Sequence, residues 1–212
     1  MKQNEQLEME KIIKLEQDNN TIPTLLLHSC CAPCSSYVLE TLSNYFKITI
    51  IYYNPNIYPE EEYLKRKKEE KRFIKEFPTK YKIEMLDCDY DGNLFFEMAR
   101  GLENLKEGSE RCYKCYSLRL NKTAIVAKEN NFDYFATTLS ISPYKNSDWI
   151  NEIGRNLEKK YNIKYLPADF KKKNGYQRSI ELSSIYSLYR QDYCGCIYSK
   201  VEREKQKQEV HN

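Results

Sequence analysis

Histidine is almost missing from this chain: there are two in 212 residues, and one of them, His211, is the penultimate residue. A metal site built on histidines at helical spacing is therefore excluded, as is the H-x-E signature of a zinc deaminase. Glycine is also scarce, with six residues. No GxxxxGK[ST] and no GxGxxG occurs, so the common phosphate and dinucleotide loops are absent. No Gly-rich SGGxDS-like loop follows the first predicted strand, where an ATP pyrophosphatase would carry one. No run approaches 18 apolar residues, so no spanning helix is expected. The first 20 residues are charged throughout and lack an apolar signal core, from which a reducing cytoplasmic setting is expected. Net charge is only +3, so a global positive field does not argue for nucleic acid; any such surface must be local.

Cysteine, by contrast, is plentiful. Seven of eight cysteines fall in three tight groups: Cys30, Cys31 and Cys34 in HSCCAPC, Cys112 and Cys115 in RCYKC, Cys194 and Cys196 in CGC. Cys88 stands alone and reads as structural. Tyrosine is also abundant at 19 residues; its rings pack as apolar bodies with polar tips and also stack on bases. Apolar residues, at 41%, suffice for one sizeable core.

Short apolar runs alternate with helical spacing. Strands are expected at Thr24–His28, Lys47–Tyr53, Tyr81–Leu86, Tyr134–Thr138 and Lys164–Leu166. Helices are expected after HSCCAPC, after Pro59, and over 91–100, 110–130, 146–161 and 180–189. The alternation predicts an α/β fold, a mostly parallel five-stranded sheet in a three-layer sandwich, with C-terminal helices. Residues 1–20 read as a polar arm or helix, 21–200 as one α/β catalytic domain and 201–212 as a polar tail. Ligands of such sheets sit beyond the carboxyl ends of the strands, and HSCCAPC leaves the first strand there.

Cys34 lies near a helix N-terminus, where exposed N–H groups favour thiolate. Cys112 and Cys115, at i and i+3, share one helix face. With Cys30 and Cys31 they make four thiolates available to one soft metal site. Seven clustered thiols exceed what one zinc needs, and adjacent cysteines make an awkward zinc knuckle, which favours iron–sulfur over zinc. Cys194 and Cys196, flanking a glycine, can close a reducible disulfide or hold one metal. Among basic runs, Lys65–Lys68 reads as a solvated helix face. Lys171, Lys172, Lys173 and Arg178, in a loop near the strand ends, are candidates for phosphate contact.

HSCCAPCS, YNPNIYPEEEYLKRK, GSERCYKCYSLRL, TTLSISPYKN, DFKKKNGYQRS and YCGCIYS follow in this order. Together, from Thr24 to Ser199, the pattern resembles the cobalamin-independent epoxyqueuosine reductases. The resemblance implies a Rossmann-like fold akin to the adenine-nucleotide hydrolases. It implies deoxygenation of epoxyqueuosine to queuosine in tRNA, the last step of that wobble-base modification. It further implies a [4Fe-4S] cluster, carried by motif onto Cys30, Cys31, Cys112 and Cys115, and an additional mononuclear iron. Cys34 is a candidate ligand of that iron; Cys194 and Cys196 are either a redox-active pair or further ligands. The expected partners are the epoxyqueuosine-bearing tRNA and an electron donor, with no membrane, and the chain is expected as a monomer. Two rival readings remain open at this point: an iron–sulfur tRNA thiolase, and a zinc-stabilised nucleic-acid-binding module.

Overall fold

The structure is a computed structural model that describes residues 4–210. Five strands form one sheet: β1 (Thr24–His28), β2 (Lys47–Ile51), β3 (Glu84–Leu86), β4 (Tyr134–Thr137) and β5 (Lys164–Tyr165). Every pairing is parallel, and the spatial order is β3-β2-β1-β4-β5. The order reverses at β1, so the crevice outside its carboxyl end is the switch point where such sheets bind ligands. Leu25, Leu26 and Leu27 are wholly buried, each contributing about 1.5–3 kcal/mol over an exposed position.

Side chains of β1 alternate between two cores, as the period of two requires. Leu25 and Leu27 join Ile48, Ile50 and Ala136 on one face, and Leu26 joins Ile51 and Phe135 on the other. The first face is covered by α1 (Glu5–Asp18), α2 (Ala32–Leu42) and α3 (Glu60–Glu76), with α7 (Gly175–Ile185) packed on α2. The second is covered by α5 (Glu110–Glu129) and α6 (Ser147–Tyr161), with α4 (Gly92–Ala99) packed on α5. This is the three-layer α/β sandwich expected. Residue chemistry sets the helix ends. The Asn146 side chain accepts from the backbone N–H groups of Asp148 and Trp149 to start α6, a standard N-cap. Asn162 ends it in a left-handed conformation.

Several boundaries differ from the expectation. Backbone pairing of β2 stops at Ile51, and β3 begins only at Glu84. Of the arm or helix expected over residues 1–20, Glu5–Asp18 takes the helical alternative, with Met9 and Ile13 buried in the first core. The helix expected over 180–189 runs instead from Gly175 to Ile185. Asn-Gly reads as a turn, but here a Cβ at 175 would lie 2.0 Å from the Phe170 carbonyl oxygen, so glycine serves a close approach at the helix start. Where a polar tail was expected from 201, α8 (Ile197–Val210) is formed. Its polar length is anchored at the start, where Cys196 and Tyr198 pack with Phe95 and Ala99. No helix among the described residues is long and apolar enough to cross a membrane.

Candidate metal centre and its cavity

The HSCCAPC loop is positioned by β1 and by its neighbours. His28 is fully buried; its Nδ1 accepts from the Thr137 hydroxyl at 2.9 Å and its Nε2 donates to the Tyr53 carbonyl at 3.1 Å. Burial and the nearby Arg119 push its pKa down to about 4, so it is a neutral brace with both nitrogens in use. The Tyr52 hydroxyl donates to the Cys30 carbonyl, and Asn54 Nδ2 to the Ser29 carbonyl. Cys31 caps α2, with Pro33 in the first turn, the position where a missing N–H costs nothing.

The result is a sulfur triad. The Sγ atoms of Cys30, Cys31 and Cys34 all lie within 4.8 Å of one another, the one group of this kind among the described residues. Cys30–Cys31 is 3.8 Å and Cys31–Cys34 is 2.8 Å. Such close thiols cannot all ionise. Hydrogen bonding from Cys31 and Cys34 holds the Cys30 thiol well below its ordinary range, while burial pushes Cys31 up to about 12. Cys34 is also raised, first by its interaction with Cys30. The thiolate character expected of Cys34 at the α2 N-terminus is therefore not found, and Cys30 alone of the triad is lowered; metal binding must displace protons from Cys31 and Cys34.

The two remaining groups approach the same place. Cys112 and Cys115 occupy the first turns of α5 and share its inward side: Cys112 packs in the core cluster that holds Cys30 and Cys31, and Cys115 packs with Cys196. Gly108 N donates to Cys112 Sγ at 3.2 Å, and Ser199 N to Cys196 Sγ at 3.4 Å. Burial pushes Cys115 up to about 12 and Cys196 up to about 11, with Cys194 adding to both. Cys30, Cys34 and Cys194 line one cavity of about 440 Å³, beside Lys145. Cys194 thus joins Cys30 and Cys34 at one cavity beyond the carboxyl end of β1, while Cys112, Cys115 and Cys196 do not line it and lie outside the 4.8 Å sulfur triad.

Four cations are buried among these sulfurs: Arg66, Arg111, Arg119 and Lys145. Arg66 and Arg119 are each 1% exposed, and Lys145 is nearly as buried. Arg66 Nη1 donates to the Cys194 carbonyl at 3.2 Å, and Arg119 Nε to the Cys115 carbonyl at 3.2 Å. Burial opposes the charge on Lys145, but Cys194, Cys30 and Cys34 outweigh it and raise its pKa. Arg66 Nη2 and Arg119 Nη2 are buried without a partner. Arg66 is partly compensated by Glu62 at 2.7 Å, whereas Arg119 forms no ion pair among the described residues, and a buried guanidinium without one is costly unless negative charge stands nearby. A thiolate-bound metal group is anionic, so the donor set and its surroundings fit one.

A family model described as "Epoxyqueuosine reductase QueH" matches residues 25–202. The chain is 46% identical to the Streptococcus pyogenes epoxyqueuosine reductase QueH over 193 residues, covering 90% of this chain and 76% of that protein. It is 42% identical to the Staphylococcus epidermidis enzyme of that name, over 92% of this chain and 84% of the relative. Against the Thermotoga maritima relative identity is 34%, over 88% and 95%.

The chain belongs to the epoxyqueuosine reductase QueH family.

Among solved structures, the U34-tRNA thiolase NcsA from Methanococcus maripaludis with its [4Fe-4S] cluster aligns with TM-score 0.47 and 14% identity, over 91% of this chain and 67% of that one.

Within this QueH-family site, other expected residues fall as follows. Cys88 is half-buried against the second core and lies outside the sulfur triad; its carbonyl accepts from Tyr63 and Lys67. The basic loop is engaged by its own chain. Lys171 pairs with Asp169 at 3.0 Å and donates to the Ser140 carbonyl, and Lys172 donates to Asn4. Lys173 pairs with Glu10 at 2.5 Å, and Arg178 with Glu40 at 2.7 Å and Glu181 at 3.0 Å. The Lys65–Lys68 run is not wholly a solvated face: Arg66 points the other way and is buried against the CGC loop. Sequence reading missed Arg66, Arg119 and Lys145. The available signal was position, since Arg66 and Tyr63 fall at helical spacing on one side of α3, and Arg119 follows Cys115 by four residues on α5.

Proposed function

We propose that the chain reduces epoxyqueuosine in tRNA to queuosine, removing the epoxide oxygen as water. The observation that carries this reading is the meeting of Cys30, Cys34, Cys194 and the buried Lys145 at one cavity, with Cys31 completing the sulfur triad, on the switch-point side of the sheet, in a chain of the QueH family. The balance is epoxide, two electrons and two protons giving alkene and water. A [4Fe-4S] cluster on Cys30, Cys31, Cys112 and Cys115 supplies electrons singly when bound.

The chain's own residues do the rest. Cys194 and Cys196, closing to a disulfide, release two electrons and two protons, which matches the demand of one turnover. Gly195 lets the loop take φ of +132° between them, a conformation open to glycine. Lys145 keeps a positive charge at the cavity wall where oxygen departs. The buried arginines balance thiolate charge. Cys34, whose sulfur belongs to the triad, is a ligand for the additional iron or exchanges with a cluster ligand; Cys194 and Cys196 are the alternative donors to that iron. The setting is cytoplasmic, the chain acts as a monomer, and an external donor restores the dithiol.

The test is an anaerobic assay with reductant and tRNA bearing the epoxide, nucleosides being resolved by mass. Appearance of queuosine supports the reading, and unchanged epoxyqueuosine with iron-loaded protein ends it. Metal analysis separates the zinc-module alternative: about four or more irons per chain are expected, not one zinc.

A further inference from the structure

The basic loop around Lys171 is the obvious place for RNA phosphates by sequence, yet its four cations are already occupied. Lys171, Lys173 and Arg178 are ion-paired and Lys172 is hydrogen-bonded within the chain. A phosphate there would first have to displace those partners.

The cavity rim differs. Tyr144 lines the cavity and is 75% exposed, the most exposed of the large apolar side chains among the described residues. Its neighbour Lys145 turns the opposite way, buried beside the sulfurs. Two exposed arginines, Arg190 and Arg203, line the same cavity. Arg190 Nη1 donates to the Ser183 hydroxyl and Arg203 Nη1 to Gln206. Neither forms an ion pair with a carboxylate among the described residues. The rim also carries acids. Asp192 is paired with Lys207, Glu202 accepts the Glu107 N–H at 3.2 Å, and the exposed Glu107 lines the cavity as well, so the rim is mixed in charge.

A base that is to meet the sulfurs must leave its stack and enter the cavity, which leaves its neighbours unstacked. Exposed aromatics with nearby arginines are how single-stranded RNA loops are held. We infer that the cavity rim is the RNA-docking surface, with Tyr144 stacking on a base adjacent to the inserted nucleotide and Arg190 and Arg203 contacting the flanking phosphates. The inference rests on the tRNA-reductase reading and says which face receives the RNA.

The experiment is fluorescence anisotropy with a labelled seven-nucleotide-loop RNA hairpin carrying unmodified guanosine at the wobble position. Full-length, iron-loaded protein is used, with circular dichroism and iron content checked for each variant. Tyr144→Ala should weaken binding about tenfold or more, and Tyr144→Phe should bind as the parent does. Arg190→Ala with Arg203→Ala should lower the slope of log affinity against log salt by about 0.7 per arginine, which a general loss of structure would not do selectively. Lys172→Ala with Lys173→Ala should leave affinity within about twofold. Unchanged affinity for Tyr144→Ala, a loss confined to the Lys172/Lys173 variant, or no hairpin binding by the parent overturns the inference. The two readings fail separately. If the parent binds the hairpin with this variant pattern but leaves epoxyqueuosine RNA unconverted, the docking surface stands and the reductase reading falls.

Discussion

Arg66 Nη1 donates to the carbonyl oxygen of Cys194 at 3.2 Å, while its Nε pairs with Glu62 at 2.7 Å. One buried guanidinium thereby ties α3 to the loop that carries the third cysteine group. The tie is reinforced by Tyr58 N donating to the Gly195 carbonyl at 2.9 Å. Position of the CGC pair is thus set from outside the sulfur cluster.

Removing the tie should release the loop. Arg66→Met is expected to cost roughly 3 kcal/mol, because it strands a largely buried carboxylate. It should also raise the rate at which Cys194 is alkylated, with little loss of iron. Urea denaturation and mass-resolved alkylation measure the two effects. Equal alkylation rates in parent and variant would argue against a positioning role.

Gly195 sits where a Cβ would meet Ile57 Cγ1 at 3.1 Å and Arg66 Nη1 at 3.2 Å, at a φ of +132°. Gly195→Ala is expected to destabilise by about 1–3 kcal/mol and to lower turnover while leaving the Cys30/Cys31/Cys34 triad intact. Thermal unfolding and iron content, read beside product formation, check this.

The Cys112/Cys115 and Cys194/Cys196 groups should fail differently. Cys112→Ala is expected to lose iron and queuosine formation together. Cys194→Ala should keep most of its iron and lose turnover. Iron per chain and nucleoside analysis on the same preparations decide; full turnover by Cys194→Ala would remove the CGC pair from the chemistry.

Arg119 is buried beside Cys115, Cys194 and Cys30. With a cluster bound, Arg119→Met removes a positive charge from its surroundings and should make its reduction potential more negative. The scale is about 60 mV for each ~1.4 kcal/mol of lost interaction in a one-electron couple. A titration followed by electron paramagnetic resonance reads the shift, and an unmoved potential would contradict the charge-balancing role.

Glu70 is fully buried, and burial pushes its pKa from 4.5 up to about 8, against the opposing hydrogen bond from Ser35. Below 4.5 both folded and unfolded chains hold the proton. Between 4.5 and about 8 the folded chain alone holds it, so stability falls as pH rises through that window and is level above it. Glu70→Gln keeps the acceptor for Ser35 and should flatten this decline. Urea midpoints at pH 5 and pH 8 make the comparison; identical pH dependence in the two proteins would show that Glu70 is not the group responsible.

The sequence by itself determined the alternation of strands and helices, hence the parallel sheet, and it placed HSCCAPC at the carboxyl end of β1. Those features are local: apolar runs of strand length and helical spacing are written in consecutive residues. It also pointed to a soft-metal site, because seven of the eight cysteines stand in three tight groups. Only the tertiary structure decided that Cys34 joins Cys30 and Cys31 in one triad, that Ile197–Val210 is helix, and that Arg66, Arg119 and Lys145 turn inward. A charged residue in a charged helix reads as solvent-facing, since burial normally costs it several kcal/mol. Part of that cost is offset locally, by Glu62 four residues before Arg66 and the Cys115 carbonyl four before Arg119, and part by the Cys194 carbonyl, which reaches Arg66 only once the chain has folded.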